Sequence, residues 1–425
     1  SDEFDLTFQR QLNPSFSTEI GYTGRVIRNE YQAFNLDATP YMMTAGGQQF
    51  QTAFATVWQQ LAAGQPVTPQ PFFESALGGA KSATCVTASS CTQAVVNAYG
   101  PSGSVGHFIS TVNGNDVYSL WSQLNQDPSW TLGRTFPSAP TAVSGSGQLQ
   151  AVFMNAALGY GNFNSLFWTV SMRNFHGLTA MSNFTWGRSM GTGQVDQATS
   201  SYTVTDPWRM HVMYGPQFND IPLNYNVYFL YEPGSKTQHG ILGHLAHGWA
   251  FAPILTWNDG GESDVNIGGD CASFGETDCN AGSTQETAIK VTGYTGGSAV
   301  LNNAVNATVG RRSNASTKGT GMNRFGNNAA AIYSEFRPMV LGLDTTANSG
   351  LIPGLSVWNV DFSLTKDLAI SERFSAQLNA QASNVFNHFS PNAYSLDLQN
   401  QRNFGAISGD ALGPRTVEVG MAINW

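Results

Sequence analysis

The 425-residue chain contains no apolar run of about 18 residues, the length a membrane-spanning helix requires, so a helical membrane protein is excluded. Charge is scarce as well, at 11% of residues, and its balance of −9 argues against a nucleic-acid partner. Cysteine is rarer still. Its four positions form two close pairs, Cys85 with Cys91 and Cys271 with Cys279, each in a polar, loop-like segment. Local pairing is the simplest of the connectivities that four cysteines allow. No histidine lies near either pair to complete a zinc site, so clipped loops in an oxidising compartment are expected. The chain opens on Ser1 with no initiator Met and no signal peptide, as a processed or partial polypeptide does.

Aromatics, at 12%, and glycine, at 45 positions, are plentiful. At the C-terminus Val417, Val419, Met421, Ile423 and Trp425 alternate with Thr416, Glu418, Gly420, Ala422 and Asn424. An extended strand sends the first set to one side and the second to the other. About 9–11 such residues cross a bilayer at barrel tilt, and a terminal aromatic suits the membrane interface.

The same period of two recurs along the chain. Phe4, Leu6 and Phe8 lead through Asn13-Pro14-Ser15 to Phe16, Thr18, Ile20, Tyr22 and Val26, a tight hairpin over residues 1–28. Residues 29–162 are a long insertion, expected to be extracellular. In it Phe50, Phe54, Trp58 and Leu61, and again Val117, Leu120, Trp121 and Leu124, recur at helical spacing, so at least two short helices are expected. Residues 163–257 return to strands: one through Leu166 to Met172, a turn at Asn174 to Gly177, one through Leu178 to Trp186, one through Leu223 to Tyr231, a short turn around Pro233-Gly234, and one from Ile241 to Trp257 that Pro253 weakens. Residues 258–354 form a second long loop, and residues 355–425 carry the last three strands.

Nine strands result, joined alternately by short turns and long loops. That asymmetry belongs to outer-membrane barrels, whose short turns are periplasmic and long loops extracellular. The predicted fold is therefore all-β, an antiparallel transmembrane β-barrel segment of about nine strands within a larger barrel, with short helices in its extracellular loops. Bacterial barrels have even strand numbers and a periplasmic C-terminus, so further strands are expected upstream of Ser1.

The segments Phe4-Asp5-Leu6-Thr7-Phe8 and Glu19-Ile20-Gly21-Tyr22-Thr23-Gly24, Asn35-Leu36-Asp37-Ala38-Thr39-Pro40-Tyr41, Asn183-Phe184-Thr185-Trp186-Gly187-Arg188-Ser189 and Asp361-Phe362-Ser363-Leu364-Thr365-Lys366 carry a resemblance. So do Glu372-Arg373-Phe374, Ala382-Ser383-Asn384-Val385-Phe386-Asn387-His388, Asn403-Phe404-Gly405 and Pro414-Arg415. Together they resemble the C-terminal portion of the barrel of a TonB-dependent transporter of the Oar-like kind. The resemblance implies a roughly 22-stranded barrel occluded by an N-terminal plug, with a TonB-contacting segment before it. Neither plug nor contact segment lies within these residues. It further implies energised import of a nutrient such as a peptide, oligosaccharide or metal chelate, with a surface lipoprotein as a possible further partner.

Trp168, Trp186, Trp249, Trp257 and Trp425 fall near strand ends and are expected at the lipid interface. Trp58, Tyr99, Trp121 and Trp130 are aromatic candidates for stacking on a captured ligand, with packing of the insertion's own core as the alternative. Asp259, Glu262 and Asp264, with Asp270, Glu276 and Asp278 beyond them, offer hard oxygen donors for a structural Ca²⁺ but match no EF-hand spacing, and a solvated acidic loop is the plainer reading. His244 and His247, three apart in an expected strand, point to opposite faces and make a poor metal pair. No spacing marks a nucleophile, a carboxylate pair or a phosphate-binding loop, so no catalysis is expected. Two rival classes remain: an outer-membrane structural or adhesive protein whose loops bind a neighbouring cell or assembly partner, and a secreted all-β binding protein.

Overall fold

The computed structural model describes residues 1–36, 38–103, 115–132, 153–192, 208–217, 220–234, 240–267, 287–290, 322–344, 352–371 and 374–424, with Ile109 and Asp206. One antiparallel sheet organises it. Its strands are β1 (Asp2–Asn13), β2 (Phe16–Asn35), β3 (Phe153–Phe175), β4 (Leu178–Gly191), β5 (Leu223–Tyr231), β6 (Trp249–Asn258), β7 (Val357–Ala369), β8 (Ser375–Ser383) and β9 (Thr416–Asn424). Each pairs with its neighbour in sequence, so the sheet is an up-and-down meander of nine strands, with the short strand Gly215–Pro216 added beside β4. The meander is not closed: β1 and β9 are its two edges.

Tight turns form where side chains or permissive backbones supply them. The Asn13 carboxamide oxygen accepts from the backbone N–H of Ser15 at 2.9 Å and of Phe16 at 3.0 Å, closing an Asx turn around Pro14. Between β3 and β4, His176 at φ 53° and Gly177 at φ 85° give a two-residue turn of the hand that matches strand twist.

Register converts the alternation into two faces, because directly opposed residues lie on the same side. Phe8, Ile20, Trp168, Phe184, Tyr225, Trp257 and Trp358 follow one another in register across seven strands. Phe251, Leu364, Ala380 and Val419 extend the same apolar face. The neighbouring positions Thr7, Gly21, Asn183, Asn224, Asn226, Asn359, Asp361, Ser363, Asn379, Gln381 and Glu418 make the other face polar. On that polar face Gly21 lies under the ring of its partner Phe167, where an added Cβ would sit 2.3 Å from a ring carbon.

The structure departs from the sequence-based expectation at three places. The expected strand from Ile241 begins only at Trp249, because Gly240–Ala246 is a helix, α5. His244 therefore lies on a helix and not on a strand face, and the connection at 232–248 is longer than the turn expected at Pro233-Gly234. Strands β2 and β3 run well past the apolar stretch, to 20 and 23 residues, as a paired ribbon above the sheet. The loop before β9 contains a small ribbon, Pro391–Tyr394 paired with Ile407–Asp410. Pro253 acts as expected: the β5 ladder passes from Tyr228–Ile254 to Tyr231–Phe251 without a pair at Pro253, which lacks an N–H to donate.

At the long-connection end stands a helical cap made of α1 (Phe50–Ala62), α2 (Pro71–Ala76), α3 (Cys91–Tyr99) and α4 (Val117–Gln126); α5 belongs to the opposite end, and α6 (Ala329–Tyr333) to a later connection. The helical spacing seen in the sequence belongs to α1 and α4. Asp116 caps α4 by accepting from Ser119 N–H at 2.8 Å, and Ser90 caps α3 by accepting from Gln93 N–H at 3.0 Å. Pro71 opens α2, where its missing N–H costs nothing. A disulfide joins Cys85 to Cys91 inside the cap; Cys271 and Cys279 lie outside the described residues.

Candidate functional site

The cap and the polar face below it are where this fold concentrates its specific chemistry. Phe50 is the hub of the cap core: its ring meets those of Phe72 at 5.3 Å, Phe73 at 6.0 Å and Trp121 at 5.1 Å, all edge-on. Such geometry sets ring edges against ring faces, the favoured arrangement of aromatic quadrupoles. Val212, from the connection between β4 and β5, and Met339, Val340 and Leu341, from the connection between β6 and β7, enter the same core. Three connections far apart in sequence thus share one apolar interior. A second core of Val265, Ile267, Phe325, Phe336, Ile352, Leu396, Leu398 and Phe404 fastens the β6–β7 connection to the β8–β9 connection.

Polar bonds tie the same segments. Tyr41 Oη donates to Asp206 Oδ1 at 2.7 Å, and Arg209 Nε donates to Tyr41 Oη at 2.9 Å and Asp206 Oδ2 at 3.2 Å. Burial pushes the Asp206 carboxyl above its ordinary range, against the hydrogen bond from Tyr41 and the Arg209 charge, and burial beside Asp206 pushes the Tyr41 phenol up. Trp208 Nε1 donates to the Thr39 carbonyl at 3.0 Å. At the upper end of β4, Arg188 pairs with Asp220 at 3.0 Å and with Glu262 at 2.9 Å. Burial raises both of those carboxyls, and the mutual repulsion of the two acids adds to the rise at Glu262. Arg337 forms a fork with Asp344 at 2.7 and 2.8 Å and lies 5.5 Å from the Trp58 ring centre. Asn115 Nδ2 donates to the Met339 carbonyl at 2.8 Å.

The four aromatic candidates fall within this cap. Trp121 is buried at 2% exposure, so neither of its ring faces is open to a ligand. Trp130 meets it edge-on at 5.3 Å, and Trp58 and Tyr99 pack partly buried on the same core. Burial also lifts the Tyr99 phenol, with the Asp127 charge adding to it. Of the acidic candidates, Glu262 is engaged by Arg188, and burial raises the carboxyl of Asp259. Among the described residues no group of three or more His, Cys, Asp or Glu is placed to hold a metal ion; Asp270, Glu276 and Asp278 lie outside them.

The tryptophans sit on the apolar face. Trp168 and Trp186 are exposed, and Trp168 Nε1 donates to Thr18 Oγ1 at 2.9 Å. Trp249 and Trp257 stand at opposite ends of β6. The eight residues from one to the other span about 27 Å along a strand, the scale of an outward apolar band about 25 Å tall. Trp425 lies outside the described residues.

The buried clusters around Asp206 and Arg188, and Lys366 at the other end of the sheet, had no signal in the sequence. The first two join residues from separate connections and the third joins a strand to the connection before β6, and no local spacing marks them. At the short-turn end a cavity of about 900 Å³ opens between the turns, with His176, Glu232, Trp249, Asp367 and Gln377 in its wall.

A meander with one apolar and one polar face, tight turns at one end and interlocked connections at the other, defines a membrane β-barrel wall. The chain belongs to the outer membrane beta barrel domain family, whose model matches residues 1–418. That places it in the bacterial outer membrane. No curated protein matches it. Among solved structures, the outer membrane transporter YddB from Escherichia coli aligns at 9% identity with a TM-score of 0.36, over 99% of this chain and 32% of that one. The chain thus spans about a third of that transporter's length.

Proposed function

We propose that this chain is part of the wall and the external cap of a TonB-dependent, Oar-like transporter that captures a nutrient outside the cell and passes it inward with energy from the inner membrane. The observation that carries the reading is the cap: three separate connections at one end of the sheet are built into a single aromatic core above a polar wall. A core of that kind holds binding loops in fixed positions, which is what capture of a particular ligand requires. The motifs running from Phe4 to Arg415 support the family within which the reading is made.

In this reading the long connections face outward and the tight turns face the periplasm. The plug and the TonB-contacting segment belong to a part of the barrel beyond these residues, and the cavity between the turns is where the plug meets this wall. A surface lipoprotein would dock on the cap. The substrate is a peptide, an oligosaccharide or a metal chelate, and the reading gives this chain no catalytic step.

The rival, a structural or adhesive role for the cap, is favoured by one observation: Trp121 and its aromatic neighbours are spent on internal packing. The two readings separate on energy. Full-length protein in the outer membrane of cells with and without functional TonB is offered labelled peptides, oligosaccharides and metal chelates. Uptake of one class that stops without TonB supports transport. Accumulation of none, with surface binding to neighbouring cells intact, supports adhesion and overturns transport.

A further inference from the structure

Among the described residues, the connection 232–248 is where a helix stands at the short-turn end of the sheet. The last turn of α5 is fastened to the wall by two side chains of the apolar face. The Lys366 ammonium donates to the backbone carbonyls of His244 and His247, and Trp249 Nε1 donates to the Leu245 carbonyl at 2.8 Å. Lys366 and Trp249 are opposed in register, and the ammonium lies 4.8 Å from the Trp249 ring centre. A cation at a helix C-terminus meets the negative end of the helix dipole. Lys366 is 6% exposed, and the carbonyl oxygens give its ammonium the hydrogen bonds that burial demands.

Because Lys366 and Trp249 lie on the apolar face, this fastening draws the last turn of α5 to that side of the wall. The helix leaves Leu242 and Leu245 bare, at 80% and 64% exposure. Three residues apart, they share one side of the helix. Two bare leucines would be a liability in water, yet here they continue a face whose solvent is lipid. A short helix with one apolar side, an adjacent interfacial Trp and a Lys whose stem runs along apolar surface has the chemistry of an interfacial anchor.

We propose that α5 lies in the bilayer interface at the short-turn end and inserts Leu242 and Leu245 among phospholipid acyl chains, with Lys366 as the tie that holds it there. The proposal rests on the membrane location of the sheet and not on transport or on which end faces the periplasm.

The test uses the full-length protein in phosphatidylethanolamine–phosphatidylglycerol vesicles, in which both leaflets offer phospholipid. A Leu242→Cys variant is labelled with an environment-sensitive fluorophore, with the wild type taken through the same reaction as blank. Lipids brominated on the upper acyl chain should quench this label at least about threefold more than one at Gln65→Cys in the cap, and aqueous iodide should do the reverse. Leu245→Cys repeats the measurement should the first variant not fold, folding being judged by heat-modifiable migration. Quenching by iodide alone overturns the proposal, as does protection from both quenchers, which would mean that protein covers the helix. In a Lys366→Gln background the label should move toward iodide while the barrel stays folded; unchanged bromolipid quenching would overturn the tie.

Discussion

The phenol of Tyr41, before the cap, donates to both carboxylate oxygens of Asp206, in the β4–β5 connection, at 2.7 and 2.8 Å. Both residues are fully buried, and Arg209 closes the cluster from the side. Tyr41→Phe removes the hydroxyl and leaves buried acceptor capacity unmet, at a cost of about 1–3 kcal/mol. Asp206→Ala leaves the Arg209 charge without its partner and costs about 3–5 kcal/mol. Hydrogen exchange is expected to rise in residues 208–217 in both variants, more in the second, with the strands of the sheet unchanged.

The core of the cap rests on Phe50. Phe50→Ala opens a cavity among Phe54, Phe72, Phe73 and Trp121 and costs the cap about 3–5 kcal/mol. Limited proteolysis should cut the cap of this variant at protease levels the wild type resists, while heat-modifiable migration shows an intact barrel.

Arg188 serves two carboxylates, and burial holds both above their ordinary values. A carboxyl raised in the folded state binds more protons there than in the unfolded chain, so its contribution to stability falls as pH rises from the unfolded value toward the folded one. For Glu262 that window opens at its ordinary value of 4.5 and extends upward. Glu262→Gln removes this contribution. The melting temperature of wild type relative to Glu262→Gln is therefore expected to fall as pH rises through the window, and a difference independent of pH would refute the assignment.

The two faces of β7 predict opposite tolerances. Leu364, between Phe251 and Ala380 on the apolar face, should lose about 2–4 kcal/mol on replacement by Arg, whereas Ser363→Arg on the polar face should be close to neutral. Urea unfolding in lipid vesicles measures both.

The disulfide between Cys85 and Cys91 closes a short loop before α3, with both residues buried in the cap. Alkylation of the denatured, unreduced protein should leave both unmodified, as mass spectrometry of their peptide will show. Replacing both by Ser should cost about 2–4 kcal/mol, confined to the cap.

Alternation with period two is a local property of the backbone. For that reason all nine strands, the two faces and the tight turns at Pro14 and at His176-Gly177 were legible in the residues themselves. The helical spacing of Phe50 and Phe54 in α1, and of Leu120 and Trp121 in α4, was legible on the same ground. Where a different rule governs, that legibility ends. The apolar content of Ile241, Leu242 and Leu245 suits a strand as well as a helix, and what holds α5 in its place is Lys366, from a strand more than a hundred residues away. The bond from Tyr41 to Asp206 and the sharing of Arg188 between Asp220 and Glu262 are likewise meetings of distant segments, with no periodic trace in either one. The order of residues along the chain suffices for a two-faced membrane wall with tight turns at one end. That the long connections at the other end lock into one cap emerges in three dimensions alone, because burial of their aromatic and charged groups depends on partners that folding brings together.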